Sequence, residues 1–289
     1  TQCEAFIRAL EKLKANPEAE LVRRELEYEA LQDALRSWLA QPLPEYSMAA
    51  RRDVSPLTIK RAASHVIGRA WRRETRLEDD VGNLHEYVED ADLSAQDLPD
   101  ARRYVLDLSG MPVGDLPTLP GSFRHISVLI MDDMALNEVP EGFLECFPDL
   151  RWLSMENNRL STLPRALKQM KGLLKLDLAH NEIALTAEAG SILAGLTNLR
   201  ELNLGNNPLG QAVDVSGMQR LRHIDLRHTA STHWPSGVET LNEVAYLDLR
   251  DNNITQIPDA VFNSDTRLNA VTYVHDNPLT PVSEQRLDS

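Results

Sequence analysis

From residue 105 onward, apolar and polar residues alternate in a recurring frame, most clearly over Leu199-Arg-Glu-Leu-Asn-Leu-Gly-Asn-Asn-Pro-Leu209. Writing x for a free position, the stretch reads L-x-x-L-x-L-x-x-N-x-L, with Leu199, Leu202, Leu204, Asn207 and Leu209 at the defining places. With the second Leu as anchor, the frame returns at Leu106, Leu129, Leu153, Leu176, Leu202, Ile224 and Leu247, at spacings of 23, 24, 23, 26, 22 and 23 residues. The two apolar residues that flank one free position, such as Leu202 and Leu204, point inward together from a short strand. One such coil cannot bury its leucines alone, and about three are needed for a stable stack. Seven are present. An eighth closes at Asn277-Pro-Leu279, where Val271-Thr-Tyr-Val274 fits the frame only with a one-residue slip. The pattern predicts an α/β solenoid with a parallel β-sheet on its concave side and helical or extended turns on its convex side.

The Asn position turns the chain out of the strand, and its buried amide can satisfy backbone groups of its own and the neighbouring coil. Asn158, Asn181, Asn207, Asn252 and Asn277 fill it, while Met111, Met134 and Thr229 depart from it, so a continuous asparagine ladder is not expected. Five coils place an apolar-Pro pair ten residues after the anchor, Leu116-Pro117, Val139-Pro140, Leu163-Pro164, Trp234-Pro235 and Ile257-Pro258. Proline there stops the strand from continuing. This pattern is similar to that of leucine-rich repeats.

Residues 1–100 carry no repeat and read as a helical N-terminal region and cap. After a short helical piece around Ala5 to Leu13, Asn16-Pro17 signals a helix start. Leu21, Tyr28, Leu31, Leu35 and Trp38/Leu39 recur at helical spacing until Pro42 and Pro44. Ser55-Pro56 starts a second helix whose apolar face is Ile59, Ala63, Val66/Ile67 and Ala70/Trp71. That helix should seal the exposed leucines of the first coil. Its Arg61, Arg69, Arg72, Arg73 and Arg76 read as a solvated face. Glu78 to Asp100 holds nine acidic residues and no Lys or Arg, and reads as a surface connection that can fold back on this basic helix. The repeats occupy 101–282, and 283–289 reads as the start of a C-terminal helix cut short.

Composition narrows the function. Thirty basic against 44 acidic residues give a net charge of −14, which repels phosphate backbones and anionic lipid surfaces, so nucleic acid is not an expected partner. No apolar run approaches the roughly 20 residues of a membrane helix. Cys3 and Cys146 stand far apart, without the cysteine clusters that seal repeats in an oxidising space, which points to a reducing cytosol. The chain opens Thr-Gln-Cys, without initiator Met or signal segment, and reads as an excised fragment, expected to be monomeric.

Function then falls to the free positions of the strands. Between the inward residues lies the column Asp107, Ile130, Ser154, Asp177, Asn203, Asp225, Asp248. Two residues earlier, one column over, come Val105, Val128, Trp152, Lys175, Glu201, His223 and Tyr246, and two residues later come Ser109, Asp132, Glu156, Ala179, Gly205, Arg227 and Arg250. These columns describe an acidic concave surface with aromatic anchors, suited to a protein partner. Its candidate contact residues are Trp152, Asp177, Glu201, Asn203, Asp225, Arg227, Tyr246, Asp248 and Arg250. His223, His228 and His233 sit five residues apart, a spacing that suits no compact ligand pair, and no metal or other cofactor is expected. Cys146 reads as a core filler. Nothing reads as an active site.

Val105-Leu-Asp-Leu-Ser-Gly-Met-Pro-Val-Gly-Asp-Leu-Pro-Thr-Leu-Pro120, with Val139-Pro-Glu-Gly-Phe143, Leu202 to Leu209 and Ala70-Trp71-Arg72-Arg73, resembles the leucine-rich-repeat region of bacterial effectors that end in a NEL-type E3 ubiquitin ligase domain. The resemblance covers roughly residues 55 to 280. It implies a secreted protein acting in host cytoplasm, whose repeats choose the host substrate while a following domain engages the ubiquitin machinery through a Cys-x-Asp nucleophile. Cys3-Glu-Ala5 and Cys146-Phe-Pro148 do not match that motif, so the chain itself is expected to be inactive. The alternative is a non-enzymatic interaction scaffold.

Overall fold

The structure, a computed structural model, describes residues 17–42, 54–73, 83–86, 104–263 and 266–287. The expected Ala5 to Leu13 piece and Cys3 lie outside these residues. Helix α1 spans Pro17–Ala40 and α2 spans Pro56–Arg72. Both begin with proline at the first helical position, where no N–H is needed. Ser55 caps α2 through its backbone carbonyl, which accepts from Thr58 and Ile59, and its side chain makes no capping bond.

Among the described residues nine strands form one sheet in chain order: β1 Asn83–Glu86, β2 Tyr104–Asp107, β3 Ile126–Ile130, β4 Trp152–Ser154, β5 Lys175–Asp177, β6 Glu201–Asn203, β7 His223–Asp225, β8 Tyr246–Asp248 and β9 Thr272–Tyr273. The eight strands β2 to β9 run parallel, one per coil, as the repeat pattern requires. Strand β1 is new. It lies inside the acidic stretch that reads as a surface connection, and it pairs antiparallel with β2 through Asn83↔Asp107 to Glu86↔Tyr104. Its backbone occupies the edge that the first coil would otherwise leave unpaired, a need that side-chain composition does not reveal.

The eighth coil also differs from its sequence reading. Thr272 aligns with Leu247, and Tyr273 with Asp248, so the frame continues without a slip and a threonine takes the anchor place. That place is only half buried at the last coil, and the Thr272 hydroxyl donates to the Leu268 carbonyl at 2.6 Å. A polar residue is therefore tolerated where an interior coil demands leucine.

The core is one continuous stack. Leu106, Leu129, Leu153, Leu176, Leu202, Ile224 and Leu247 are each 0–1% exposed. Convex segments vary with repeat length. The 26-residue coil accommodates helix α3, Ala187–Ala194, whose Thr186 cap accepts from Ala189 N at 3.2 Å. Shorter coils make single 3₁₀ turns at Leu144–Cys146, Arg165–Gln169 and Val238–Thr240. Helices α4 Asp259–Phe262, α5 Thr266–Ala270 and α6 Pro281–Leu287 finish the array, α6 starting two residues before the expected 283. At Gly237 (φ +81°) two coils approach so closely that a Cβ would lie 2.4 Å from that of Ser216.

Both N-terminal helices cover the first coil. Leu31, Leu35 and Trp38 of α1 are buried with Ile59, Ala63, Val66, Ile67 and Ala70 of α2, whereas Leu21, at the start of α1, is 42% exposed. The polar side of α2 is less solvated than its sequence suggests. Lys60 is fully buried under the Trp38 ring, with Nζ 3.1 Å from Asp115 Oδ2, and Arg69 is buried too. His125 Nε2 donates to the Ala70 carbonyl at 2.7 Å, which ties the end of α2 to the second coil.

Asparagines link the coils as the spacing requires. Asn207, 1% exposed, accepts from Ile183 N (3.0 Å) and donates from Nδ2 to the carbonyls of Leu178 (2.9 Å), Leu204 (3.0 Å) and Gly205 (3.3 Å). Asn158, Asn181, Asn252 and Asn277 make the same reach to the preceding coil. At Thr229 the hydroxyl bonds Leu226 O of its own coil, Ser231 and Asn252, so the ladder is interrupted there. Replacing Asn207 with Ala orphans buried carbonyls and an amide. Asn207→Ala should cost about 2–3 kcal/mol in urea unfolding, and an unchanged midpoint would show that the ladder does not hold the stack.

Candidate functional site

The residue just before each asparagine place adopts a left-handed backbone. Gly110, Asp133, Asn157, His180, Asn206, His228, Asp251 and Asp276 all have φ between +53° and +70°. Glycine, Asn, Asp and His are the residues that enter this region most readily. Each of the first seven donates its N–H to the next coil, as Asn157 does to Ala179 O at 3.0 Å.

The registers confirm that the free positions align into columns across the strands. In the middle column the carboxylates first serve the backbone. Asp107, Asp177, Asn203, Asp225 and Asp248 each accept, through Oδ1, the N–H two residues on, at 2.9–3.1 Å. This Asx turn ends the strand. Aspartate between two leucines is thus partly structural, a role beyond solubility.

The two ends of the face differ. Around β3 to β5, Asp132 accepts from Ser154 Oγ and Glu156 N, both at 2.7 Å. Asp177 Oδ2 accepts from Asn203 Nδ2 at 2.9 Å. Among the described residues no Lys or Arg pairs with Asp107, Asp132, Glu156 or Asp177. Burial, and then the neighbouring Asp177 and Asp107 charges, push the Asp132 carboxyl up against the pull of its two hydrogen bonds. Burial with Asp177 and Asp132 does the same to Glu156.

Trp152 sits at the border, half-buried, with Lys175 Nζ over its ring at 5.5 Å. Lys175 also pairs with Glu201 at 2.9 Å, so these two candidate contacts are already engaged with the same cation.

Around β7 to β9 an aromatic shelf replaces the acidic surface. His223 stacks on Tyr246 with ring centres 6.3 Å apart, and Tyr246 lies 5.3 Å from Tyr273, which is 44% exposed. Arg250 anchors the shelf. It holds both oxygens of Asp248 through Nε and Nη2 and covers the Tyr273 ring at 5.7 Å. The Tyr246 hydroxyl donates to Asp248 Oδ2 at 2.9 Å.

Asp248, only 1% exposed, therefore acts from beneath, orienting Tyr246 and Arg250. Burial works to raise its carboxyl, but bonds from the Arg250 side chain and backbone and from Tyr246 together hold it below the usual range. Asp225 beside it is raised, by burial first and by Asp248. Arg227 pairs with Asp251 at 2.7 Å and remains exposed. Tyr273 is absent from the sequence columns because a Thr anchor disguised its strand. Counting back four residues from Asn277 locates it.

The other sequence candidates separate. His223 stacks on Tyr246, His228 is a left-handed turn residue, and His233 Nδ1 shares a hydrogen bond with the Thr232 hydroxyl, three unrelated local roles. Cys146 is buried, donates from Sγ to Leu119 and Gly142 carbonyls, and has its thiol pushed up to about 11 by burial, the chemistry of a core filler. No helix among the described residues is long and apolar enough to cross a membrane.

An open parallel sheet on the concave side of eight stacked coils, with its side chains presented in columns, defines a recognition solenoid. The chain contains a leucine-rich-repeat region: the leucine rich repeat family model matches residues 124–183. Adenylate cyclase of Podospora anserina is 30% identical over 159 residues, covering 54% of this chain and 7% of that protein. Lumican of Homo sapiens is 27% identical over 184 residues, 55% of this chain and 52% of lumican. The chain thus spans about half of lumican and a small part of the cyclase. The Arabidopsis receptor kinase HAESA, solved with the peptide hormone IDA and the co-receptor SERK1, superposes with a TM-score of 0.51 at 19% identity, over 78% of this chain and 42% of that one. That likeness is one of fold.

Carboxylates at the two ends should report pH with opposite sign. A depressed group such as Asp248 adds stability above its unfolded pKa, lost as pH falls through its lower folded value. Raised groups such as Asp132 and Glu156 oppose folding at neutral pH, and that opposition fades as they protonate. Asp248→Asn should lower stability at pH 7 by about 2 kcal/mol, and Asp132→Asn with Glu156→Gln should raise it. Both differences should shrink toward zero in acid. Melting curves from pH 7 to 3 that stay parallel would refute the assignment.

Proposed function

We propose that this chain is a protein-recognition module whose concave sheet, centred on β6 to β9, receives a partner protein. The carrying observation is the aromatic shelf of His223, Tyr246 and Tyr273. It is held in place by the Arg250–Asp248 fork, so large surfaces are offered with little side-chain freedom to lose on binding. Glu201, Asn203, Asp225 and Arg227 border it and set the polar rim. The repeat match supports a binding rather than a catalytic role.

A finer reading is that the module selects a host substrate for a NEL-type ubiquitin ligase of a bacterium, secreted and acting in host cytoplasm. It is favoured by the Ser109-Gly110-Met-Pro-Val-Gly114-Asp-Leu-Pro117 opening together with Ala70-Trp71-Arg72-Arg73 at the end of the capping helix, where Trp71 Nε1 sits 3.8 Å from the Cβ position of Gly121. The curated relatives reported above are eukaryotic, which favours the scaffold reading instead. A natural sequence that encodes a helical Cys-x-Asp domain beyond Ser289 and charges it with ubiquitin is the expected result of the finer reading. A natural stop codon there would sink it and leave the recognition role untouched.

The recognition role is tested with a photo-crosslinking amino acid at position 246, compared with one at Lys168 on the convex side. Adducts should form from 246 alone, and Tyr246→Ala should weaken the captured partner by about tenfold or more. Adducts from 168 alone would move the interface to the convex face.

A further inference from the structure

The two ends of the concave face pose different chemical demands on one occupant. At β2 to β5, Asp107, Asp132, Glu156 and Asp177 face one surface with no lysine or arginine paired to them among the described residues. Their partial burial, and then their company with one another, make ionisation of Asp132 and Glu156 less favourable. At β7 to β9 both arginines are already matched, Arg250 to Asp248 and Arg227 to Asp251, Asp225 has no paired Lys or Arg among the described residues, and the surface beyond it is aromatic. An acceptor of cations therefore stands beside an acceptor of apolar groups, on one open sheet with a continuous register.

Building on the concave-face reading, we infer that the occupant is a cationic polypeptide segment, with Lys or Arg against Asp132, Glu156 and Asp177 and an aromatic or aliphatic residue on the Tyr246–Tyr273 shelf. Charge complementarity selects it. An anionic segment would add to an existing repulsion, and a wholly apolar one would bury these carboxylates uncompensated. Geometry sets its length. Four strand steps separate β4 from β8, about 19 Å at roughly 4.8 Å per strand, which an extended chain covers in about six residues. The Lys175–Glu201 pair, on β5 and β6, bounds the acidic surface on its C-terminal side, so the cations gather N-terminal to it.

The probe is a phage-displayed library of random 12-residue peptides panned against the purified chain. Selected sequences should carry Lys or Arg five to seven residues from an aromatic or aliphatic residue. A synthetic labelled copy of the strongest should lose threefold to tenfold in affinity on Asp132→Asn with Glu156→Gln, by fluorescence anisotropy. Its affinity should also fall with added salt in the wild type and less steeply in that variant. Thermal melts confirm that each variant is folded. Selection of no peptide, or of peptides without cations, overturns the inference. Peptides that lose binding on Tyr246→Ala yet ignore the charge variant overturn it while leaving the concave site standing. Peptides indifferent to both variants count against the inference and the concave site together.

Discussion

The structure depends on one constraint: each coil must leave its strand and return one strand-spacing further on without stranding a buried backbone group. The left-handed residue before the asparagine place makes the exit, and the asparagine amide then bonds backbone groups on both sides of the seam. Asn207 alone touches four such groups. An unmade bond in that dry interior costs more than a made one contributes, so the stack needs every seam closed. Where the amide is missing the chain finds other means. Thr229 uses a hydroxyl network, Met134 fills the space with an apolar side chain, and in both coils the next residue, Ala135 or Ala230, also turns left-handed.

Closing the seams determines what the concave face can present. The strand positions that point outward are few, and the middle column spends much of its hydrogen-bonding capacity on the Asx turns that end the strands. Asp177 uses both oxygens in this way and for Asn203. Its charge remains available although its hydrogen-bonding sites are occupied. Recognition by these aspartates is therefore electrostatic, while directional contacts fall to the neighbouring columns, where Tyr246, Arg227 and Glu156 stand. An aspartate replaced by asparagine keeps the turn and loses the field, whereas lysine at the buried Asp248 position would unmake the turn, the fork and the shelf at once.

Much of this was legible in the chain. The anchor spacing locates seven of the eight parallel strands to the residue, and the columns read from it are the columns in space. What escaped did so for identifiable reasons. Strand β1 is held by backbone pairing at an edge, and backbone pairing leaves no side-chain period in four residues. Tyr273 was hidden by Thr272, since a terminal coil relaxes the demand for an apolar anchor. Arg69 reads as a surface cation because helical periodicity cannot anticipate a second helix closing over the polar side of α2, where Lys60 is buried as well, against the Asp115 carboxylate. The sealing of the site residues was equally illegible. Asp248 and Asp225 occupy the same column with the same identity, yet one is depressed by an arginine two residues on and the other raised by burial.

That last pair shows how the repeat generates function from sameness. Asp-Leu-Arg fills the same places of the strand frame twice, at Asp225-Leu-Arg227 and Asp248-Leu-Arg250. In the second the guanidinium folds back onto its own aspartate. In the first it reaches forward to Asp251 of the next coil. Tyr246 decides the difference on one side, since its hydroxyl completes the Asp248 shell, and Tyr273 on the other, since it offers Arg250 a ring to lie on. A fixed backbone with variable neighbours thus gives one tripeptide two charge states of its surroundings. Where such neighbours are aromatic the arginine and its aspartate close on one another, and where they are acidic the sheet keeps an unmet charge.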